Sequence, residues 1–140
     1  MITLKKDEDC YTDINGNYRI NYDYELYETD SKTWIGQCVV QQNCNILRYT
    51  SFNDDNSNDR TYNALELHCV EIFEPYQKKG YGTYMLKKII EEYREHELPL
   101  VLRVFKDNIV ALRLYERLGF KIIGEETSSA IPAWTMQYMK

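Results

Sequence analysis

A polar, lysine- and glycine-bearing turn, QKKGYGT (residues 77–83), stands between the apolar run ALELHCVEIF and the amphipathic stretch TYMLKKIIEEYREH. A strand that passes through such a turn into a helix is an arrangement that holds an anion. The first N–H groups of a helix have no intrahelical partner, and the helix dipole is positive there. Gly80 and Gly82 allow the backbone to approach a ligand that a Cβ would keep away. Lys78 and Lys79 bring positive charge to the same mouth, so the chemistry expected is phosphate recognition. The turn lacks the GxxxxGK[ST] spacing of nucleoside-triphosphate loops, and it lacks the third glycine and downstream acidic residue of a dinucleotide fold.

The run before the turn carries the groups that could move a proton. Glu66 and Glu71 are five positions apart, so on a regular strand they point to opposite faces unless a bulge intervenes. His68 shares the face of Glu66, where an imidazole is more often packed than reactive. Cys69 has no Cys/His/Asp grouping near it in sequence and reads as buried packing.

These residues need elements to place them. Residues 18–27, YRINYDYELY, alternate apolar and polar with the period of a half-buried strand. WIGQCVV (34–40) and NILRYTSF (45–52) read as two further strands joined by a QQNC hairpin. Residues 53–59, NDDNSND, have no apolar member and read as an exposed loop. In residues 83–96 the apolar positions Met85, Leu86, Ile89, Ile90 and Tyr93 make one helix face, ended by Pro99. LVLRVF (100–105) reads as a buried strand. NIVALRLYERLG follows as a helix with Asp107 or Asn108 as N-cap and Gly119 past its end. FKIIG and AWTMQYM close a β-β-β-β-α-β-α-β-β order without internal repeat.

At 140 residues the chain fits one domain, residues 1–140. Its charge is uneven: the first 65 residues hold 6 Lys/Arg against 11 Asp/Glu, whereas the remainder holds 11 of each. That balance disfavours nucleic acid as a partner and favours cations. The four cysteines contain no CxxC pair, and with two histidines they make no zinc-ligand pattern. No stretch has the length and apolarity of a signal peptide or membrane span, so the expectation is a cytoplasmic protein without a membrane partner.

The block from Leu65 to Gly124 resembles the GNAT superfamily of acyl-CoA N-acyltransferases. The match to its Q/R-x-x-G-x-G/A motif is Gln77, Gly80 and Gly82, and NIVALRLYERLGFKIIG is similar to its second cofactor-contacting segment. The resemblance implies an α/β (α+β) fold with a mixed, mostly antiparallel central sheet whose fourth and fifth strands splay apart. It implies acetyl-CoA as cofactor, with the backbone of Val70, Ile72 and Phe73 along the pantetheine. The amides of Gln77, Lys78, Lys79, Gly80, Tyr81, Gly82 and Thr83 would lie around the pyrophosphate, and Asn108 would bind the cofactor or a water. Tyr115, followed by Gly119 and Phe120, falls where the family keeps a tyrosine that protonates the departing thiolate. Glu66 stands at the spacing at which one branch of the family keeps a glutamate base, and Glu71 is nearer the splay.

Transfer to an amine needs a proton acceptor, because an alkyl amine is mostly protonated at neutral pH. The expected activity is therefore N-acetyl transfer to a primary, cationic amine. The alternative is a non-catalytic acyl-CoA-binding or protein-interaction module on the same fold. The first 64 residues do not show the family's usual pair of helices, which leaves the acceptor side open. The tyrosines and Trp34 could line a homodimer surface or an unusual core.

Overall fold

The computed structural model describes residues 1–16, 18–51, 60–126 and 131–139. One sheet of seven strands runs through it: β1 (Ile2–Thr12), β2 (Tyr18–Glu28), β3 (Thr33–Ser51), β4 (Arg60–Ile72), β5 (Leu100–Phe105), β6 (Phe120–Glu126) and β7 (Ala133–Tyr138). Their spatial order is β1-β2-β3-β4-β5-β7-β6. Every neighbouring pair is antiparallel except β4 and β5, which are parallel. The parallel pair requires a crossover, supplied by a short 3₁₀ turn, Glu74–Tyr76, and helix α1 (Tyr81–Tyr93). Helix α2 (Ile109–Leu118) makes the second crossover, from β5 to β6. This is the mixed sheet anticipated from the sequence.

Both helices contribute to one face. Met85, Leu86, Ile89, Ile90 and Tyr93 of α1 are buried against Tyr24, Leu26, Cys38, Val40, Leu65, Leu67, Leu100 and Leu102. Leu112, Leu114, Tyr115 and Leu118 of α2 pack on the same cluster. Each fully buried aliphatic chain contributes about 2 kcal/mol, so this face carries most of the stabilisation. Tyr24 adds a polar clasp: its hydroxyl bonds the Tyr93 hydroxyl at 2.7 Å and the Glu92 carboxylate, while Lys6 Nζ lies 3.1 Å from Glu92. Burial, more than these bonds, raises the Tyr24 pKa far above its usual value.

Two features depart from the sequence-based expectation. Ile2–Thr12 is a strand, although its core, KKDED, has no apolar alternation; at the sheet edge only Ile2 and Leu4 need turn inward. As the sequence reading anticipated, no helix lies between β1 and β2 among the described residues, and residues 13–16 help join the two strands. The QQNC segment is not a hairpin, because β3 runs through it as one strand. Gln41 is held by bonds to Asn21 Oδ1 (2.8 Å) and the Tyr11 hydroxyl (3.0 Å), and the register with β4 shifts between Asn43 and Leu47. The strand count is still seven because the added β1 offsets that merger. The predicted loop at 53–59 and Phe52 lie outside the described residues.

Candidate active site

The glycine turn has a geometry that can cradle an anion. Gly80 takes φ +85° as the residue preceding α1, and Lys78 is also left-handed at φ +62°. The first helical bond runs from Tyr84 N to Gly80 O at 3.0 Å, so the N–H groups of Tyr81, Gly82 and Thr83 precede the intrahelical ladder. No side chain caps them, and no acidic residue stands in the first turn. Gln77, beside Lys78 and Lys79 in this exposed turn, ties the turn to the strand end by donating from Nε2 to Ile72 O at 2.9 Å. Among the described residues, a Cβ on Gly82 would meet only Ile72 Cγ1, at an ordinary 3.6 Å. The chain's own packing therefore does not require glycine there, whereas a ligand resting on the helix end would.

β4 and β5 stop pairing before β4 reaches this turn. β4 and β5 pair only at Leu65–Leu100, Glu66–Val101 and Leu67–Leu102, and beyond these the two strands run on unbonded to each other. The opening lies at their carboxyl ends, where ligands enter parallel sheets. Val70 and Ile72 line the β4 side and pack partly on the core. The Phe73 N–H is spent on Ile35 O at 2.9 Å, so it is not available to a ligand.

Tyr115 reaches the core from α2, half-buried, with its ring 5.9 Å from that of Phe120. Burial pushes its pKa up, with a smaller contribution from the Cys38 thiol, so the phenol holds its proton at neutral pH. Asn108 is the N-cap of α2: its Oδ1 accepts from Ala111 N at 3.2 Å.

The other sheet face carries the titratable groups, and here a bulge revises the strand argument. Gln37 pairs with Glu71 and Val39 with His68, so two steps on β3 match three on β4. The extra residue lies at Cys69–Val70, where Cys69 takes φ +57°. Glu66 and Glu71 consequently project from the same face, opposite Gln41 and Gln37, not from opposite faces. Cys69 is exposed rather than buried, with its Sγ 3.8 Å from His68 Nδ1.

Glu66 is almost fully buried, its side chain 8% exposed, and its Oε1 accepts from Arg103 Nη2 at 3.1 Å. Its Oε2, His68 Nε2 and Thr135 Oγ1 are buried polar atoms without a hydrogen-bond partner among the described residues. All three lie on this face, since Arg103 pairs with Thr135 and Glu66 with Val101 across the sheet. Polar atoms rarely remain unsatisfied without a water or ligand to serve them. Burial lowers the His68 pKa; Glu66 and Asp23 oppose the shift while Arg103 reinforces it. Asp23, beyond His68 on β2, has its pKa raised by burial and by Asp9, Asp7 and Glu25. Glu71 is exposed and accepts from Gln37 Nε2 at 3.2 Å. The sequence did not reveal Arg103 and Thr135 as members of this group; the pairing of β5 with β7, distant in sequence from β4, brings them there.

Comparison with known proteins gives the class. Residues 3–120 match the family model described as "Acetyltransferase (GNAT) family", and the chain belongs to that family. Among curated relatives, it is 38% identical over 79 residues to the spermine/spermidine N(1)-acetyltransferase of Bacillus subtilis, covering 55% of this chain and 49% of that one. It is 27% identical over 109 residues to the L-amino acid N-acyltransferase MnaT of Escherichia coli, covering 76% and 63%. The chain thus spans about half to two thirds of the length of these relatives. Among solved structures, spermidine N-acetyltransferase from Vibrio cholerae in complex with CoA and spermine superposes with a TM-score of 0.59 at 17% identity, covering 84% of this chain and 64% of that one. Arabidopsis thaliana NAA60 in complex with acetyl-CoA gives 0.60 at 15%, covering 84% and 75%. At such identities the likeness concerns the fold.

Proposed function

We propose that residues 1–140 act as one N-acetyltransferase unit that moves an acetyl group from acetyl-CoA to a primary, cationic amine by direct attack in a ternary complex. The observation that carries this reading is the parting of β4 and β5 beside the uncapped start of α1, where among the described residues only Ile72 Cγ1 comes within 4 Å of a Cβ on Gly82. Amides at Tyr81, Gly82 and Thr83, with Lys78 and Lys79 around them, suit a pyrophosphate. The edge of β4 at Val70 and Ile72 suits an amide-bearing arm, and Asn108 can add a contact without losing its cap. Acetyl-CoA supplies the activated acetyl group; the remaining work belongs to the protein.

Tyr115 is assigned as the acid, since a buried phenol that keeps its proton can donate it to a departing thiolate. Glu66 is assigned as the base, working through Oε2 directly or by way of a water, with Arg103 holding Oε1. A second reading, in which His68 accepts the proton, is favoured by its partnerless Nε2 and its neutral form. Glu71, exposed at the bulge, is the outer carboxylate. The acidic residues around Asp23 favour a positively charged acceptor, in keeping with the spermine/spermidine enzyme among the relatives. Among the described residues no helix is long and apolar enough to cross a membrane, and the free thiols of Cys10, Cys38 and Cys69 fit a cytoplasmic setting.

The test is incubation with acetyl-CoA and a panel of spermidine, spermine, amino acids and a lysine peptide, following thiol release and the mass of each amine. Acetylation of the polycations ahead of the amino acids supports the reading. No acetylated product with any amine rejects it.

A further inference from the structure

β1 is an edge strand of eleven residues, about twice the usual length, and no strand pairs with its outer side among the described residues. Sheet edges are ordinarily guarded by bulges, prolines or charged side chains, and of these β1 has only the last. β1 has no proline, its register against β2 is unbroken from Ile2 to Thr12, and its charges are sorted by sign: Lys5 and Lys6, then Asp7, Glu8 and Asp9. These charged residues are exposed.

We propose that this edge pairs with the same edge of a second copy, antiparallel, about a twofold axis at Asp7, joining two sheets into one. Antiparallel pairing sets the start of one strand against the end of the other, so the sorted charges become complementary. Lys5 faces Asp9 and Lys6 faces Glu8, each twice by symmetry, at the ~5 Å separation of cross-strand neighbours. Asp7 meets its own copy in the one like-charged contact.

The register is selected as well as the direction. A twofold axis keeps the helix-bearing face of both copies on the same side, so the axis must pass through a residue position. Centring on Lys6 leaves only the Lys5–Asp7 pairs and sets lysine against lysine. Centring on Glu8 sets Asp7 against Asp9 with no opposite-charge pair. The Asp7-centred register also places half-buried Leu4 beside Cys10 of the second copy, on the helix side. A contact made of one ladder is small, which fits a weak, reversible association. This inference does not depend on the proposed activity.

Sedimentation equilibrium of the whole chain over a range of concentrations, at low and high salt, tests it. The proposal expects a reversible dimer weakened by salt. Lys5→Glu alone and Asp9→Lys alone should each weaken it at least about tenfold, and the double variant Lys5→Glu/Asp9→Lys should restore it. Circular dichroism of each variant shows whether it is folded. Leu4→Cys should form an intermolecular disulfide with native Cys10 on mild oxidation. A wild-type protein that stays monomeric throughout, or a dimer indifferent to single charge reversal, overturns the proposal. So does a folded double variant that does not recover.

Discussion

Gly82→Ala separates what the fold needs from what the ligand needs. In the structure, the added methyl meets only Ile72 Cγ1 at 3.6 Å, an ordinary contact, and Gly82 is not among the glycines with positive φ. Alanine is favoured over glycine in a helix by about 0.8–1.0 kcal/mol, less in the first turn, so a gain of about 0.5–1 kcal/mol is expected for the unliganded protein. For a chain of this size that corresponds to roughly 2–4 °C in melting temperature. The same methyl occupies the space in which a pyrophosphate would rest on the α1 amides. Losing one or two charge-assisted bonds at about 1.5–3 kcal/mol each weakens binding by at least about tenfold. Thermal unfolding without ligand and calorimetric titration with CoA give the two numbers. A variant that is more stable and binds CoA poorly fits the reasoning. One that binds CoA as well as wild type shows that the ligand does not lie over Gly82, and one that is destabilised shows that the chain itself requires the glycine.

Tyr115→Phe should lower turnover by about 10²–10⁴-fold while leaving the CoA dissociation constant nearly unchanged; an unaffected turnover in steady-state kinetics would remove Tyr115 as the acid. His68 should give stability a pH dependence. Burial holds its folded pKa below the ordinary histidine value of 6.5, so its contribution is fully present above 6.5 and is lost as pH falls from there through the folded value. Urea unfolding from pH 5 to 8 should show a shallower acid-side fall for His68→Gln, and identical slopes would contradict the burial argument. Tyr24→Phe, which strips the hydroxyl shared by Tyr93 and Glu92, should cost about 1–3 kcal/mol and lower the melting temperature accordingly. No change would mean that the clasp is not made in solution.

What could be read from the sequence was what local periodicity encodes. The apolar face of α1, the Asn108 cap and the glycine turn each lie within a few residues, and each formed as expected. The edge strand β1 was hidden because beyond Leu4 its side chains are exposed on both faces, so KKDED need not alternate. The long β3 was split at QQNC because polar residues were read as a turn, whereas Gln41 is satisfied by Asn21 on the adjacent β2 and by Tyr11 on β1 beyond it. In the candidate site, parity alone would have divided Glu66 from Glu71. The bulge near Cys69 reunites them on one face, and only the β3 register reveals it. Arg103 and Thr135 join Glu66 through the order β4-β5-β7, a non-local fact that no spacing within one strand can report.

The central claim, that the β4–β5 gap and the α1 cradle are built for coenzyme A, is tested most directly by the melting temperature with excess acetyl-CoA, CoA, ATP and NAD in parallel. At one hundred times its dissociation constant a ligand adds about 2.7 kcal/mol, roughly ten degrees for a domain this size. A rise of that order with acetyl-CoA and CoA, and little with ATP or NAD, is the predicted result. No rise with either CoA species, or an equal rise with ATP, would contradict it.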